Sequence, residues 1–280
     1  KTLPQIFLTL FFIFSMHSAG AGVFHSTMTG GTWDSDATWI EPGFPGINDT
    51  AYVQSTVIVG YVGGYQIYHS YGGRVIVEPG GMLIPNEYGG GLGTFILYVG
   101  YDIVNNGMVA GTEEYLDISI AGDLHNNGYW RPHKTWFTGM AEHELSTTAD
   151  HPLGGFFERS GSGEIVAVSD LLIDCRFTHG TNWITGDFNL NNGTLFMGNH
   201  GINADGALVF GGILEGNFEI LGTFSVNKHV TDTLVFRGNV TVTDTLQANV
   251  YGGGLGIQKL LVEGNLVNNG WIRDREDTDN

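Results

Sequence analysis

The sequence is short of cysteine and of basic residues. It contains one cysteine, Cys175, among 280 residues, so no disulfide can form within the chain and the fold must be held together by packing. Lysine and arginine number 11 against 29 acidic residues, for a net charge of −18. A chain of this charge repels nucleic acids and anionic membranes. We therefore expect no nucleic-acid partner, and cations or neutral glycans suit the charge better.

Long hydrophobic runs are also scarce. The apolar run at residues 6–16 follows Lys1 and precedes the small residues Ala19, Gly20 and Ala21. This order is typical of a signal peptide, and the run is too short for a comfortable membrane span. We therefore expect residues 1–21 to be an export signal. The mature chain is expected to be secreted or displayed at the cell surface, without a membrane span.

Glycine is abundant, with 44 residues, about twice its usual share. The chain is too rich in valine, isoleucine, leucine and phenylalanine to be a disordered linker, so glycine marks turns. Between these turns apolar and polar residues alternate, as in Leu116-Asp117-Ile118-Ser119-Ile120. Alternation of this kind is typical of strands with one buried face. Together with the lack of helical periodicity, it predicts an all-β fold.

A short phrase recurs along the chain: Gly-Asp or Gly-Asn, an apolar residue, then Asn-Asn-Gly. It is complete at residues 122–128 and 264–270, one residue longer at 100–107 and 186–193, and partial at Gly216 and Gly238. Gly100 and Gly122 are 22 residues apart, as are Gly216 and Gly238. A period of this length is typical of a solenoid coil. It predicts a right-handed parallel β-helix over residues 51–272.

The Asn-Asn-Gly ending has a physical role in such a coil. Asn and Gly tolerate a left-handed backbone, and stacked Asn amides can bond to each other between coils. An antiparallel sandwich with Asn-Gly hairpins is the alternative. The recurring phrase before the turn favours the solenoid. The predicted structural turn residues are Asn105, Asn106, Gly107, Asn126, Asn127, Gly128, Asn191, Asn192, Gly193, Asn268, Asn269 and Gly270.

Both ends of the predicted solenoid differ in composition from its middle. Residues 22–50 contain Trp33, Trp39 and turn-forming prolines, and we expect them to be an N-terminal aromatic cap. Residues 273–280 are charged, which indicates either a charged tail or a truncated continuation.

Four phrases resemble a known family. They are Trp-x5-Trp at residues 33–39, Pro-Gly-x-Asn-Asp at 45–49, Val-Ile-Val-Glu-Pro-Gly-Gly-Met-Leu at 75–83 and the Gly-Asn-Leu-x-Asn-Asn-Gly ending. Together they resemble large secreted bacterial β-solenoid proteins of the type IX secretion cargo kind. The resemblance implies a surface or extracellular module. The C-terminal sorting domain of that family is missing from these residues.

The least regular stretch is the best place to look for catalysis. Parallel β-helices host polysaccharide lyases and hydrolases, which need a base beside a cation or paired carboxylates. Arg131, His133 and Asp150 are the candidates, although no catalytic signature surrounds them. His133, His143 and His151 could also be metal ligands, but their spacing matches no compact zinc pattern.

Other side chains suggest binding instead of catalysis. Asp34, Asp36 and Asp49 lie in oxygen-rich turns that would suit calcium, the one cation we consider as a cofactor. Trp33 and Trp39 would stack on sugar rings if exposed and seal the core if buried. Thr241, Thr243 and Thr245 are expected to share an outward face, but other coils do not repeat the Thr-x-Thr phrase in step, so we do not expect an ice-binding face.

The sequence as a whole predicts a non-catalytic structural or adhesive β-solenoid that contacts polysaccharide or cell-surface components. The alternatives are a polysaccharide-processing enzyme and a glycan-binding module on the same scaffold.

Overall fold

The computed structural model describes residues 20–60, 68–86, 93–111, 115–174, 176–179, 182–185, 187–205, 208–226, 234–248 and 260–274. Most of the predicted export signal, Cys175 and residues 275–280 lie outside this part of the chain. The described residues are all-β apart from one short 3-10 helix, Asp36–Thr38. None of their helices has the length and hydrophobicity that crossing a bilayer requires.

The strands of the first half, numbered along the chain, are β1 (Val23–His25), β2 (Gly31–Thr32), β3 (Thr50–Val53), β4 (Thr56–Val59), β5 (Tyr68–Gly72), β6 (Arg74–Val77), β7 (Met82–Pro85), β8 (Thr94–Val99), β9 (Ile103–Asn105), β10 (Met108–Ala110), β11 (Tyr115–Ile120), β12 (Leu124–Asn126), β13 (Tyr129–Arg131), β14 (Lys134–Phe137), β15 (His143–Thr147) and β16 (Leu153–Gly154). Those of the second half are β17 (Phe156–Arg159), β18 (Ile165–Ala167), β19 (Leu171–Asp174), β20 (Arg176–His179), β21 (Asn182–Thr185), β22 (Asp187–Gly198), β23 (Ile202–Asp205), β24 (Leu208–Gly216), β25 (Phe218–Ile220), β26 (Thr223–Val226), β27 (Leu234–Arg237), β28 (Val240–Val242), β29 (Thr245–Ala248), β30 (Leu260–Val262), β31 (Leu266–Asn268) and β32 (Trp271–Asp274).

The parallel strands form three stacks that the chain visits in turn, which we call sheets 1, 2 and 3. Sheets 1 and 3 join through β22 and β24 into one 19-stranded sheet, and sheet 2 has 11 strands. Sheet 1 contains β1, β3, β6, β9, β12, β15, β18, β22, β24, β27 and β30. Sheet 2 contains β2, β4, β7, β10, β13, β16, β19, β23, β25, β28 and β31. Sheet 3 contains β5, β8, β11, β14, β17, β26, β29 and β32, and it shares the long strands β22 and β24 with sheet 1.

Each strand pairs in parallel with the equivalent strand of the coil before and after it, which confirms the predicted β-solenoid. The sandwich alternative is wrong, because antiparallel pairing between named strands of the described chain is confined to the β20–β21 hairpin. Parallel pairing begins at β1 and β2, within the segment expected to be the cap. It continues through β32 to Asp274.

The core is a set of in-register columns of inward-facing side chains. One column on sheet 1 contains Ala51, Val75, Ile103, Leu124, Leu145 and Ala167, all of them buried. Each apolar side chain therefore packs against its equivalents in the coils on either side. Burial of these columns is the main favourable contribution to the stability of the solenoid.

In the phrases at residues 100–107 and 122–128, the first Asn points into the protein and is fully buried. Asn105 Nδ2 donates to Asn126 Oδ1 at 2.7 Å and to the carbonyl of Tyr129 at 2.9 Å. Asn126 Nδ2 in turn donates to the carbonyl of His151 at 3.0 Å. The amides thus satisfy corner carbonyls that turn away from the sheets.

The second Asn of the phrase forms a separate contact at the surface. Asn127 Nδ2 donates to Asn106 Oδ1 at 3.0 Å, and this pair is exposed. Asn268 and Asn269 are exposed too, because the last described coil has a neighbour on one side only. Asn191, Asn192 and Gly193 lie within β22, and their side chains fall outside the described part of the structure.

The final position of the phrase requires glycine for a reason other than the expected left-handed turn. Gly107, Gly128 and Gly270 do not have φ in the left-handed region. A Cβ at Gly128 would instead lie 2.2 Å from the carbonyl oxygen of Gly107 in the previous coil. Positive φ values occur at the glycines that open the two partial copies, +140° at Gly216 and +122° at Gly238, but not at Gly100, Gly122 or Gly264. Close approach of coils therefore requires the final glycine.

Substituting the buried and the exposed Asn should have unequal effects. We expect Asn126→Leu to destabilise the protein by about 1–3 kcal/mol, because the His151 carbonyl loses its donor inside the protein. Asn127→Leu should change the free energy of unfolding by about 0.5 kcal/mol or less, since water replaces an exposed amide. Urea unfolding of both variants measures the difference. Equal effects would contradict the assigned positions.

Trp33 should be one of the most sensitive positions near the N-terminus. It is fully buried, and its Nε1 donates to the Tyr71 carbonyl at 3.1 Å. We expect Trp33→Ala to cost about 3–5 kcal/mol through the cavity it leaves. Phe44→Ala is the matched control, because Phe44 is exposed in the same segment. Chemical denaturation should show a small effect for the control, and similar losses in both variants would contradict this packing.

Candidate functional site

Aromatic side chains are concentrated on the outer face of sheet 3. Strand alternation puts every second residue of β5, β8, β11, β14 and β17 on this face, and parallel register aligns them from coil to coil. Tyr71 is paired with Tyr98, Tyr98 with Ser119, and Ser119 with Trp136. We call the aromatic strip the set of His69, Tyr71, Tyr98, Tyr115, His133, Trp136 and Phe156.

The rings of the aromatic strip contact one another between coils. Tyr71 and Tyr98 are stacked with centroids 5.2 Å apart and planes 16° apart. His69 lies 5.3 Å from Tyr98. Farther along, the His133 ring lies 4.0 Å from Tyr115 and 5.5 Å from Phe156. Tyr71 is 46% exposed, so the strip offers aromatic surface to solvent.

Asp117 and His133 form a hydrogen-bonded pair within the aromatic strip. Asp117 is on the outer face but is only 4% exposed. An aspartate is rarely so buried unless it has a partner. His133 Nδ1 lies 2.7 Å from Asp117 Oδ1. The carboxylate thereby fixes the orientation of the imidazole and directs Nε2 away from the pair. An imidazole held in this way can accept or donate a proton at Nε2.

A second charged pair flanks the strip. Lys134 forms a salt bridge with Glu158 of the next coil, and its ammonium group lies 4.9 Å from the centre of the Trp136 ring. Glu158 balances the charge of Lys134, and the cation–π contact holds the lysine over the indole. The site therefore combines aromatic surface with locally balanced charge.

The three residues that the sequence suggested for catalysis lie on different elements. His133 lies on the outer face of sheet 3, bound to Asp117. Arg131 is in β13 of sheet 2, where its guanidinium lies 5.6 Å from the Tyr129 ring. Asp150 is exposed in the turn between β15 and β16. The partner that the sequence missed is Asp117, whose outward position among buried apolar residues was its only signal.

The three histidines considered as metal ligands also occupy different environments. His143 is fully buried, with Nδ1 2.6 Å from the carbonyl oxygen of Gly122 and its ring 5.4 Å from Phe137. His151 lies in the turn that follows β15 and bridges to Thr148.

The acidic residues considered for calcium are not brought together among the residues that the structure describes. Both carboxylate oxygens of Asp49 accept backbone N–H groups, from Gly22 at 2.6 Å and from Gly46 at 2.7 Å. Asp34 accepts a hydrogen bond from Ser70 Oγ at 2.7 Å, and Asp36 is exposed in the 3-10 helix. In the described chain, the potential ligands that do converge are Asp123, His125 and Glu144 on sheet 1.

Trp33 and Trp39 face the core and not the solvent. Both are buried, with ring centroids 5.2 Å apart in an edge-to-face contact. Trp39 Nε1 donates to the Trp33 carbonyl at 2.8 Å. Neither ring has an exposed face for a sugar.

The expected outward threonine row is interrupted by a corner. Thr241 is in β28 and Thr243 is exposed in the following turn, where it bonds Glu219. Thr245, at the start of β29, is buried. The three side chains therefore do not share an outward face, and that expectation is wrong.

A polar cleft of about 360 Å³ lies on the second half of the solenoid. Its lining consists of Asp170, Asn199, Gly201, Asn217, Phe218, Glu219, Leu221, Asn239 and Thr241. Asn239 Nδ2 donates to Asn217 Oδ1 at 2.7 Å, and Asn265 Nδ2 donates to Asn239 Oδ1 at 2.8 Å. These amides continue the stacking of the repeated phrase. We therefore interpret the cleft as a consequence of that stacking.

Comparison with protein-family models, with curated proteins and with solved structures found no match to this chain. The aromatic strip and its geometry therefore carry the functional argument.

Asp34 should make stability depend on pH. Burial raises the pKa of its carboxyl, and the hydrogen bonds from Ser70 and Tyr68 offset this only in part. Because the folded-state pKa is above the unfolded one, stability is lost as pH rises between the two values. We expect Asp34→Asn to reduce this loss, and Asp36→Asn to serve as an exposed control. The measurement is the change in unfolding midpoint between pH 3.5 and pH 7. An equal change in wild type and in Asp34→Asn would contradict the assignment.

Proposed function

We propose that this chain is an exported, non-catalytic adhesive module that binds a neutral polysaccharide along the aromatic strip. The supporting observation is the set of rings that contact one another between coils on one face of a parallel scaffold, with Tyr71 stacked on Tyr98 and His133 in contact with Tyr115 and Phe156. Aromatic rings present flat apolar surface at a low cost in side-chain entropy. The apolar faces of sugar rings pack against such surfaces.

The scaffold suits a long linear ligand. Successive coils are about 4.8 Å apart, so side chains of one column recur at short and regular intervals. Each coil offers one or two rings, and several coils together offer a track. Binding to a preformed track requires little reordering of the protein, which favours affinity.

The charge distribution favours a neutral ligand over an acidic one. The net charge of −18 repels anionic polymers at long range. Within the strip, Lys134 is bound to Glu158 and His133 is bound to Asp117. A sugar carboxylate would therefore find Lys134 already balanced by Glu158 and the His133 imidazole already bound to a carboxylate.

Substitutions in the strip should weaken polysaccharide binding. We expect Tyr98→Ala and Trp136→Ala each to lower the affinity for a soluble neutral polysaccharide at least fivefold, about 1 kcal/mol or more, because each removes a ring from the track. Isothermal titration with a panel of β-glucan, mannan, xylan and polygalacturonate measures this effect and the preference for neutral chains.

Tyr129→Ala is the matched control, because Tyr129 is 44% exposed on sheet 2. It should leave the affinity unchanged. Loss of binding in the cleft variant Asn217→Ala, with full binding in Tyr98→Ala and Trp136→Ala, would move the binding surface to the cleft. Saturable binding to none of the polysaccharides would contradict the proposal.

The Asp117–His133 pair favours one second candidate, a polysaccharide-processing enzyme. In that reaction His133 Nε2 would accept a proton from the bound sugar chain or from a water molecule beside it. Assays for new reducing ends and for unsaturated products test this candidate. Turnover that is lost in both His133→Ala and Asp117→Asn would replace the adhesive proposal. Binding without turnover would support it.

A further inference from the structure

Four polar side chains form a compact group on the outer face of sheet 1, away from the aromatic strip. Leu124 of β12 is paired with Leu145 of β15, and both are fully buried. The residues on either side of these leucines therefore point outward. They are Asp123 and His125 on one coil and Glu144 and Ser146 on the next.

Hydrogen bonds orient the His125 and Asp123 side chains of this group. His125 Nδ1 lies 3.0 Å from Ser146 Oγ, which leaves Nε2 facing Glu144, 3.9 Å from its Oε2. Asp123 Oδ1 accepts the backbone N–H of Glu144 at 2.7 Å, which leaves its other oxygen free to bind elsewhere. Metal-binding histidines usually donate their second ring N–H to such a partner, because this fixes the tautomer.

The ligand atoms of Asp123, His125 and Glu144 all lie within 4.8 Å of one another. Ligand atoms around a tetrahedral ion with bonds of 2.0–2.2 Å are about 3.3 Å apart. Small side-chain rotations would therefore close the group around one ion. Two carboxylates on neighbouring coils also repel each other, and a cation between them would remove this repulsion.

We infer that Asp123, His125 and Glu144 form a binding site for one Zn²⁺ ion, with Ser146 as a positioning residue. One imidazole nitrogen and two carboxylate oxygens are ligands that zinc accepts, with water in the fourth position. Calcium prefers six to eight oxygen ligands, which three side chains including an imidazole do not supply. The site is independent of the proposed glycan binding.

A titration of the full-length chain with Zn²⁺ tests the site directly. The protein is stripped with a chelator and then titrated in competition with a chromophoric zinc indicator. We expect saturable binding of one ion per chain, weakened at least tenfold in His125→Ala and in Glu144→Gln. His25→Ala is the matched control, because it removes a histidine of sheet 1 that is likewise paired with a carboxylate, Glu41, and it should bind zinc like wild type.

The positioning role of Ser146 has its own readout. Ser146→Ala keeps all three ligands but removes the partner of His125 Nδ1, so we expect about a tenfold loss of zinc affinity. The visible absorption of bound Co²⁺ should shift in this variant and vanish in His125→Ala. Unfolding midpoints measured without metal should match those of wild type and show that the variants fold.

Three results would overturn the inference. They are no saturable zinc binding by the wild-type chain, wild-type affinity in both His125→Ala and Glu144→Gln, and displacement of Zn²⁺ by an equal concentration of Ca²⁺. Because the titrations use the metal alone, their outcome does not depend on whether the aromatic strip binds a polysaccharide.

Discussion

In-register parallel pairing between one coil and the next is the constraint on which the rest of this structure depends. It aligns equivalent residues into columns, and the side chains of one column share the same chemical type. Ile103, Leu124 and Leu145 form part of an apolar core column, whereas Asn105 and Asn126 form a buried amide ladder two residues farther along. A side chain in this fold is therefore defined by its equivalents one coil above and below as much as by its neighbours in sequence.

The same constraint produces both candidate binding sites. On sheet 3 it aligns aromatic side chains into a strip, and on sheet 1 it places Glu144 beside Asp123, 21 residues earlier. Neither arrangement needs a specialised loop. A solenoid can thus gain a binding surface by changing outward residues while its inward columns remain unchanged, which agrees with the general separation of fold and function.

Much of the fold could be predicted from the sequence because its signals are local and repeated. Alternation around Leu116 indicated a strand, and the recurring phrase indicated the coil. Coil length was harder to predict, since equivalent residues are 21 apart at Asn105 and Asn126 but 26 apart at Asn239 and Asn265. The site was hardest, because Asp117 and His133 are 16 residues apart, one fewer than the spacing between Asp117 and its in-register partner Lys134. Their contact joins the middle of one strand to the corner before the next. The role of the final glycine, which is close approach between coils, likewise depends on the neighbouring coil.

The central claim is that coil stacking builds an aromatic track for a neutral polysaccharide. Hydroxyl-radical footprinting of the chain with and without the bound polysaccharide tests it most directly, because aromatic side chains are readily oxidised when exposed. The account requires protection of Tyr71, Tyr98 and Trp136, with Tyr129 on sheet 2 unaffected. Protection of the cleft residues Phe218 and Leu221, with unchanged oxidation of the strip, would contradict it.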